Sequence, residues 1–379
     1  MALTLDADTA LIRDTALDFF TKRAPVSALR KLRDEKDALG FSLPLWRQMA
    51  ELGWAGFLVP EAYGGSDFGY VGLGQVLEAA GRSLAASPLI STALIGASAL
   101  ALAGNEAQKA AHLPALARGE RLLALALDEG AHHAPYRIAT TATRSGAGFR
   151  IEGEKRFVLD GHVAELLVVA ARSSGGVDER RGITLFLVPG DAKGVSRLRT
   201  AMVDSRNAAI IRLEGVELSE DVVLGRIDDG AEPLDAVLDR ARAGLAAEML
   251  GAAAEAFERT VQYLKDRKQF GVAIGSFQAL KHRAAVMFAE IELARSAVLA
   301  ALAALDARAT DAAELASLAK AKAGDALFLV SNEAIQMHGG IGMTDEHEIG
   351  FFLKRARVAQ ASFGDSAFHR DRYARLRGY

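Results

Sequence analysis

The sequence predicts a multidomain α+β chain in which an N-terminal α-helical domain, a middle β-domain and a C-terminal four-helix bundle follow one another. Three observations predict it. Apolar residues recur with helical spacing up to about residue 120, the texture changes to short β-rich runs from Leu122, and long Ala-rich helical segments return after Gly230. The two changes of period put the expected domains at 1–121, 122–230 and 231–379. A chain of 379 residues is too long for one simple core and suits two or three domains.

In the first segment Leu11, Ile12, Leu17 and Phe20, then Leu45, Met49 and Leu52, fall on helix faces, and Pro60 and Gly64-Gly65 mark turns. The most apolar stretch, 89–104, is interrupted by Ser91, Thr92 and Ser98. It is shorter than the roughly 20 residues that span a bilayer, so a buried helix is expected. The β-rich runs include 122–127, 149–158, 166–171 and 183–188, separated by turns such as Ser145-Gly146-Ala147-Gly148 and Ser173-Ser174-Gly175-Gly176. The Ala-rich segments lie near 234–265, 277–306 and 311–338. Four packed helices account for them, and the alanines read as close helix packing.

With 45 basic and 48 acidic residues the formal charge is −3, which gives no reason to invoke nucleic acid or a membrane surface. The absence of cysteine excludes disulfides, thiolate metal sites and cysteine nucleophiles, and fits a reducing compartment. The first fourteen residues, MALTLDADTALIRD, carry acid where a targeting segment carries base, so a cytoplasmic location is expected. His132 and His133 are expected in a polar loop, with no metal bound.

The most informative segment is YLKDRKQFGVAIGSF, from Tyr263 to Phe277, followed by Gln278. It joins a cationic helix end to an aromatic, a glycine turn and an amide. Further on, Gln336-Met337-His338-Gly339-Gly340-Ile341-Gly342 adds paired glycines. An Arg and a Gln can grip the phosphates and sugar of a dinucleotide, Phe270 can cover a flat ring, and glycines let backbone N–H groups approach a diphosphate. These stretches resemble the FAD-binding signature of the acyl-CoA dehydrogenase family. Trp46-Arg47-Gln48-Met49-Ala50-Glu51-Leu52-Gly53-Trp54 and Val59-Pro60-Glu61-Ala62-Tyr63-Gly64-Gly65 resemble its N-terminal domain, in the right order.

The resemblance implies an acyl-CoA dehydrogenase-like fold, FAD as cofactor, an acyl-CoA substrate, and electron-transfer flavoprotein as the acceptor. Arg267, Phe270 and Gln278 match the positions that reach across a subunit interface to the adenosine diphosphate half of a neighbour's FAD. Gln336, Gly339 and Gly340 match the partner loop, so a dimer or tetramer is implied as well.

Elsewhere the chain departs from the family pattern. The family's Thr-Glu-Pro phrase is Asp128-Glu129-Gly130-Ala131-His132-His133-Ala134-Pro135, without the closing Gly-Ser-Asp. The Trp-Ile-Thr-Asn-Gly phrase along the flavin edge is Phe157-Val158-Leu159-Asp160-Gly161, so Leu159 replaces a hydroxyl donor worth about 1 kcal/mol. The catalytic glutamate is absent from both places where the family keeps it: Phe363 occupies one, and Ala241, followed by the family's Arg242, occupies the other.

Three acids are candidates to replace it. Asp239 lies about 200° around the helix from 241 and is placed to pair with Arg242 at i,i+3. Glu248 is on the face of 241 but about 10.5 Å along the axis. Asp365 falls where the family often has a threonine, and Gly364-Asp365 with His369-Arg370 resembles the small subunits of heteromeric bacterial enzymes of the pimeloyl-CoA dehydrogenase type. The expected function is therefore α,β-dehydrogenation of an acyl-CoA, of the fatty acid β-oxidation kind, with hydride passing to FAD and a partner chain supplying the glutamate. Three alternatives stay open: a homo-oligomer with a relocated acid, a base-independent flavin enzyme of the monooxygenase or desulfinase kind, and a non-catalytic CoA-ester-binding subunit.

Overall fold

The computed structural model describes residues 4–379; residues 1–3, the start of the acidic N-terminal segment, lie outside the described residues. Six helices come first: α1 (Ala7–Arg23), α2 (Val26–Asp34), α3 (Leu43–Glu51), α4 (Tyr70–Arg82), α5 (Ala97–Ala103) and α6 (Glu106–Ala117). Eight strands follow: β1 (Leu123–Ala126), β2 (Thr141–Ser145), β3 (Gly148–Val158), β4 (Leu166–Arg172), β5 (Ile183–Pro189), β6 (Val195–Ala201), β7 (Asn207–Ser219) and β8 (Val223–Leu224). The rest comprises α7 (Ala231–Asp266), the hairpin β9 (Lys268–Gln269) and β10 (Val272–Ala273), then α8 (Gln278–Asp306), α9 (Ala312–His338), α10 (Ile349–Ala361) and α11 (Ser366–Leu376). The order is helical, then β, then helical, as the periodicity predicts.

The chain forms two compact units. One takes the chain up to Lys36 together with Tyr70–Ala86 and Arg242–Tyr379; the other takes Asp37–Gly69 and Ser87–Ala241. In the second, a sheet runs in the order β6-β7-β3-β2-β4-β5-β8, with β1 parallel to β4. Alternate residues of β3 and β7 point inward, and Phe149 meets Phe186 edge-on at 5.1 Å over a core that includes Val169, Leu167 and Ile211. Arg172 at the end of β4 gathers the surrounding loops: its guanidinium donates to the carbonyls of Glu179 and Arg181 at 2.8 Å and of Tyr136 and Val177 at 2.9 Å. The expected helix over 89–104 is found in two parts, a wide π-helical turn over Leu89–Gly96 leading into α5. Among the described residues no helix is long and apolar enough to cross a membrane.

In the other unit α9 packs against α8, α10 and α11, and α1 packs against α4. The alanines on α7 do pack closely, Ala243, Ala246, Ala252 and Ala253 being fully buried. Two glycines bring α4 and α7 into backbone contact. A Cβ at Gly81 would sit 2.0 Å from the carbonyl oxygen of Glu248, and one at Gly251 would sit 1.8 Å from that of Glu78. Ion pairs flank the contact, Arg82 with Glu255 at 2.8 Å and Arg295 with Glu78 at 2.5 Å. Beyond the expected Ala-rich helices lies α11, whose sequence SAFHRDRYARL is too polar to show an apolar face. Asp365 starts it, accepting from the N–H of Phe368 at 2.8 Å.

Candidate active site

In the helical unit, α7 ends at Asp266 and Arg267 leads directly into the β9–β10 hairpin. Gln269 pairs with Val272, leaving Phe270 and Gly271 as a two-residue loop with φ of +53° and +80°. Positive φ at both positions is the type I′ geometry whose twist matches the strands. Phe270 is therefore carried at the tip, 89% exposed. Phe277 packs edge-on to it at 6.2 Å and precedes α8, which begins at Gln278 with no side chain capping it.

The second predicted segment is brought to the same end of α7. Tyr263, one turn before Arg267, stacks on His338 at 4.3 Å and donates its hydroxyl to the carbonyl of His338 at 3.2 Å. His338 Nδ1 donates to the carbonyl of Ala334 at 2.7 Å, while burial pushes its pKa down and keeps the ring neutral. Gln336 is exposed beside it, and Gly339 has φ of +64°.

These residues suit a dinucleotide diphosphate. Arg267 is exposed and enters no ion pair among the described residues. At Gly339 and Gly340 nothing lies within 4 Å of where a Cβ would stand. An available cation, an uncapped helix start and open glycine backbone are what phosphate oxygens require.

In the β unit, the register of β3 on β7 slips between Lys155 and Val158, and Phe157 and Asp160 both take φ of +53°. The kinked strand turns Phe157 outward, 49% exposed, and leaves Leu159 half-buried. Asp160 is buried, accepting from Ser91 Oγ at 2.6 Å and Asn207 Nδ2 at 3.2 Å, and burial raises its pKa. The divergent 128–135 stretch is shaped by its two acids. Glu129 pairs with the buried Lys155 at 2.6 Å and accepts from the N–H groups of Ala139 at 2.7 Å and Thr140 at 3.0 Å. Burial works against the carboxylate, but these partners hold its pKa below the ordinary value. Asp128 accepts from His133, so that histidine does have an acidic neighbour; among the described residues no cluster of metal-ligating type exists. The Lys155–Glu129 pair gave no sequence signal, because a strand residue and a loop residue 26 positions apart carry no shared period.

At the positions expected to hold the base, Ala241 is fully buried, and the candidate Asp239, also on α7, is buried too. Glu248 is committed to Arg355, also buried, at 2.8 Å. Asp365 is exposed and holds the start of α11. Phe363 adopts φ of +57° and Gly364 φ of +103°. The left-handed conformation costs a residue with a Cβ about 1–2 kcal/mol, so the surroundings must enforce it. They do so through its carbonyl, which accepts from Arg242 Nε at 3.3 Å and from His369 Nε2–H at 3.1 Å. Lys320, fully buried on α9, adds donations to the carbonyls of Gln360 at 3.2 Å and Gly364 at 2.9 Å. Lys320 was invisible in the sequence, inside an Ala-rich helix, and His369, noted there only beside Arg370 in a family resemblance, gave no sign of its contact with the Phe363 carbonyl.

The sequence matches the acyl-CoA dehydrogenase N-terminal domain over residues 6–120, the middle domain over 126–215 and the C-terminal domain over 228–376. It is 32% identical to the probable acyl-CoA dehydrogenase YngJ of Bacillus subtilis over 377 residues, 98% of each chain. Among solved structures it resembles a Tcur3481-Tcur3483 steroid ACAD variant, with TM-score 0.88, 32% identity and 98% of each chain covered. It also resembles butyryl-CoA dehydrogenase from Megasphaera elsdenii, with TM-score 0.91, 25% identity and 99% of each chain covered. The chain matches all three family domains and a relative at 32% identity over 98% of its length, and the protein belongs to the acyl-CoA dehydrogenase family of FAD-dependent oxidoreductases.

Proposed function

We propose that the chain carries out α,β-dehydrogenation of an acyl-CoA as one half of a heteromeric acyl-CoA dehydrogenase, its partner chain supplying the catalytic glutamate. One observation carries this reading: Ala241 and Phe363 stand at both base positions, while Glu248 is bound to Arg355 and Asp365 caps a helix. The pairing of two proteins in the name of the Tcur3481-Tcur3483 structure favours it.

In this reading Arg267 and Gln278 hold phosphate and sugar of FAD, Phe270 covers the adenine side, and Gln336, Gly339 and Gly340 receive the diphosphate of the same half. Phe157 and Leu159 line the flavin edge, where Leu159 offers no hydrogen bond. FAD held by these residues would supply the acceptor for the hydride that leaves the substrate's β-carbon. Arg242, His369 and Lys320 orient the backbone at 363, whose N–H is the family's donor to the thioester carbonyl. Domains at 1–121, 122–230 and 231–379, assembly as a dimer or tetramer, a cytoplasmic location, β-oxidation-type chemistry and electron-transfer flavoprotein as acceptor belong to the same proposal.

The test is to purify the chain alone and after co-expression with a glutamate-bearing family member, recording the visible spectrum and acyl-CoA-dependent dye reduction. A positioned base is worth on the order of 10²–10⁴ in rate, so activity should appear only in the co-expressed assembly. Rapid turnover by the chain alone would refute the proposal.

A further inference from the structure

Lys320 is a buried cation that enters no ion pair among the described residues. It spends its donors on backbone: the carbonyls of Gln360 and Gly364, three residues before and one residue after Phe363. Burying a charge without a carboxylate at contact distance is expensive, so such a lysine needs a purpose. The segment it grips is strained, with left-handed backbone at two consecutive positions, and its middle carbonyl is gripped from α7 by Arg242 and from α11 by His369. Three elements therefore converge on a five-residue turn through side-chain donors to carbonyl oxygens. Because each peptide is planar and trans, pinning these carbonyls fixes the 360–361, 363–364 and 364–365 peptide planes, which bracket the 362–363 peptide that carries the N–H of Phe363.

We propose that Lys320 is a positioning residue for the thioester end of the substrate site: it draws the two ends of the 360–364 segment together and so fixes how residue 363 presents its backbone and side chain. The proposal rests on the reading above, in which Phe363 takes the family's base position.

The ammonium is also poised to respond to pH. Burial, then repulsion by Arg242, brings its pKa down to about 7; Asp365 opposes this and Arg355 adds to it. The groups facing it are thus Arg242 from α7, Arg355 from α10, whose charge is shared with Glu248, Asp365 from the turn, and His369 from α11 by way of the Phe363 carbonyl. Above neutrality the donors lose their charge assistance and the grip weakens.

The experiment compares wild type, Lys320→Met and Lys320→Gln in the flavin-loaded assembly. Hydrogen exchange of amides in 360–365 reads the turn, and anaerobic binding of octanoyl-CoA against the thioether S-octyl-CoA, from pH 6 to 9, reads the carbonyl contact. Losing a charged hydrogen-bond donor should speed exchange in this segment about tenfold, with α8 unchanged, and cut the thioester preference of Lys320→Met several-fold. Wild type should lose the same preference as pH rises, while Lys320→Met stays flat. Lys320→Gln, which keeps a neutral donor, should hold the turn at intermediate exchange and show no pH response, and it replaces Lys320→Met if that variant does not fold. Unchanged exchange, or parallel pH profiles in wild type and variants, overturns the positioning role alone. No thioester preference in wild type at any pH, absence of binding included, overturns the reading of position 363 and the proposal with it.

Discussion

The helical unit contains the dipeptide Phe-Gly twice in the same left-handed backbone, and the two are held in opposite ways. Phe270-Gly271 sits at φ of +53° and +80° on a hairpin tip with the phenyl ring 89% exposed. Phe363-Gly364 sits at +57° and +103°, half-buried and fully buried, with its carbonyls gripped by Arg242, His369 and Lys320. In the first case local pairing of Gln269 with Val272 dictates the conformation. In the second, donors from α7, α9 and the following α11 impose it. A locally determined turn can be presented outward to whatever binds there, whereas a turn fixed by tertiary contacts stays accurate only while those contacts last.

The sharpest way to break the comparison is Phe363→Glu. The turn already tolerates a side chain at that φ, so a glutamate there should stand where the family has it. The flavin-loaded chain without a partner should gain about 10²-fold or more in acyl-CoA-dependent dye reduction. No gain, with exchange across 360–365 unaltered, would sink the assignment of that position.

Adding one methyl to each glycine measures the difference directly. At Gly364 a Cβ would lie 2.4 Å from Phe368 Cδ1 and 3.0 Å from His369 Nε2, whereas at Gly271 nothing lies within 4 Å. Gly364→Ala should cost about 3 kcal/mol from clash plus strain, and Gly271→Ala only about 1 kcal/mol from strain. Urea unfolding of both variants decides; equal losses would mean that the two turns are constrained alike.

Arg267→Ala probes the outward-facing turn. Removal of one charged donor should weaken FAD binding about tenfold to a hundredfold in a flavin titration, with the melting temperature of flavin-free protein unchanged. An undiminished flavin affinity would detach Arg267 from the phosphates.

The buried turn also gives the fold a pH dependence. Burial, with repulsion by Arg242, brings Lys320 down to about 7 in the fold, against 10.5 for a lysine in water. Between those values the unfolded chain holds a proton that the folded chain has lost, so global stability rises with pH across that window, by at most about 1.4 kcal/mol per pH unit. Below pH 7 both states are protonated and the slope vanishes. Urea unfolding from pH 6 to 10 should show this slope in wild type and not in Lys320→Met; identical slopes would place the ammonium's pKa near its ordinary value.

The contrast also explains what the sequence could reveal. Strands buried along their whole length, such as β4 and β5, and the Ala-rich α7, α8 and α9 were legible to within a few residues, because burial writes a period into the chain. The largely solvent-facing β6, reading VSRLRTA, and the polar α11 were not. Arg267, Phe270 and Gln278 were legible as a cluster because they lie within twelve residues of one another. Lys320, Arg242 and His369 act together from three helices, and no local pattern records such a meeting. Glu248 was identified as a candidate acid, but its buried partner Arg355 lies 107 residues away.

The backbone contact of α4 with α7 has a consequence in time. Gly81 and Gly251 belong to the same compact unit, yet the whole of Ser87–Ala241, part of the other unit, is synthesised between its pieces. At the usual 5–20 residues per second the ribosome needs about 10–30 s to make that intervening stretch. Throughout that wait the glycine face of α4 has no counterpart on α7 to dock on, and afterwards the docking must close a very long loop before the backbone contact and the Arg82–Glu255 pair can form. The helical unit is therefore completed late, after the intervening segment has had time to fold.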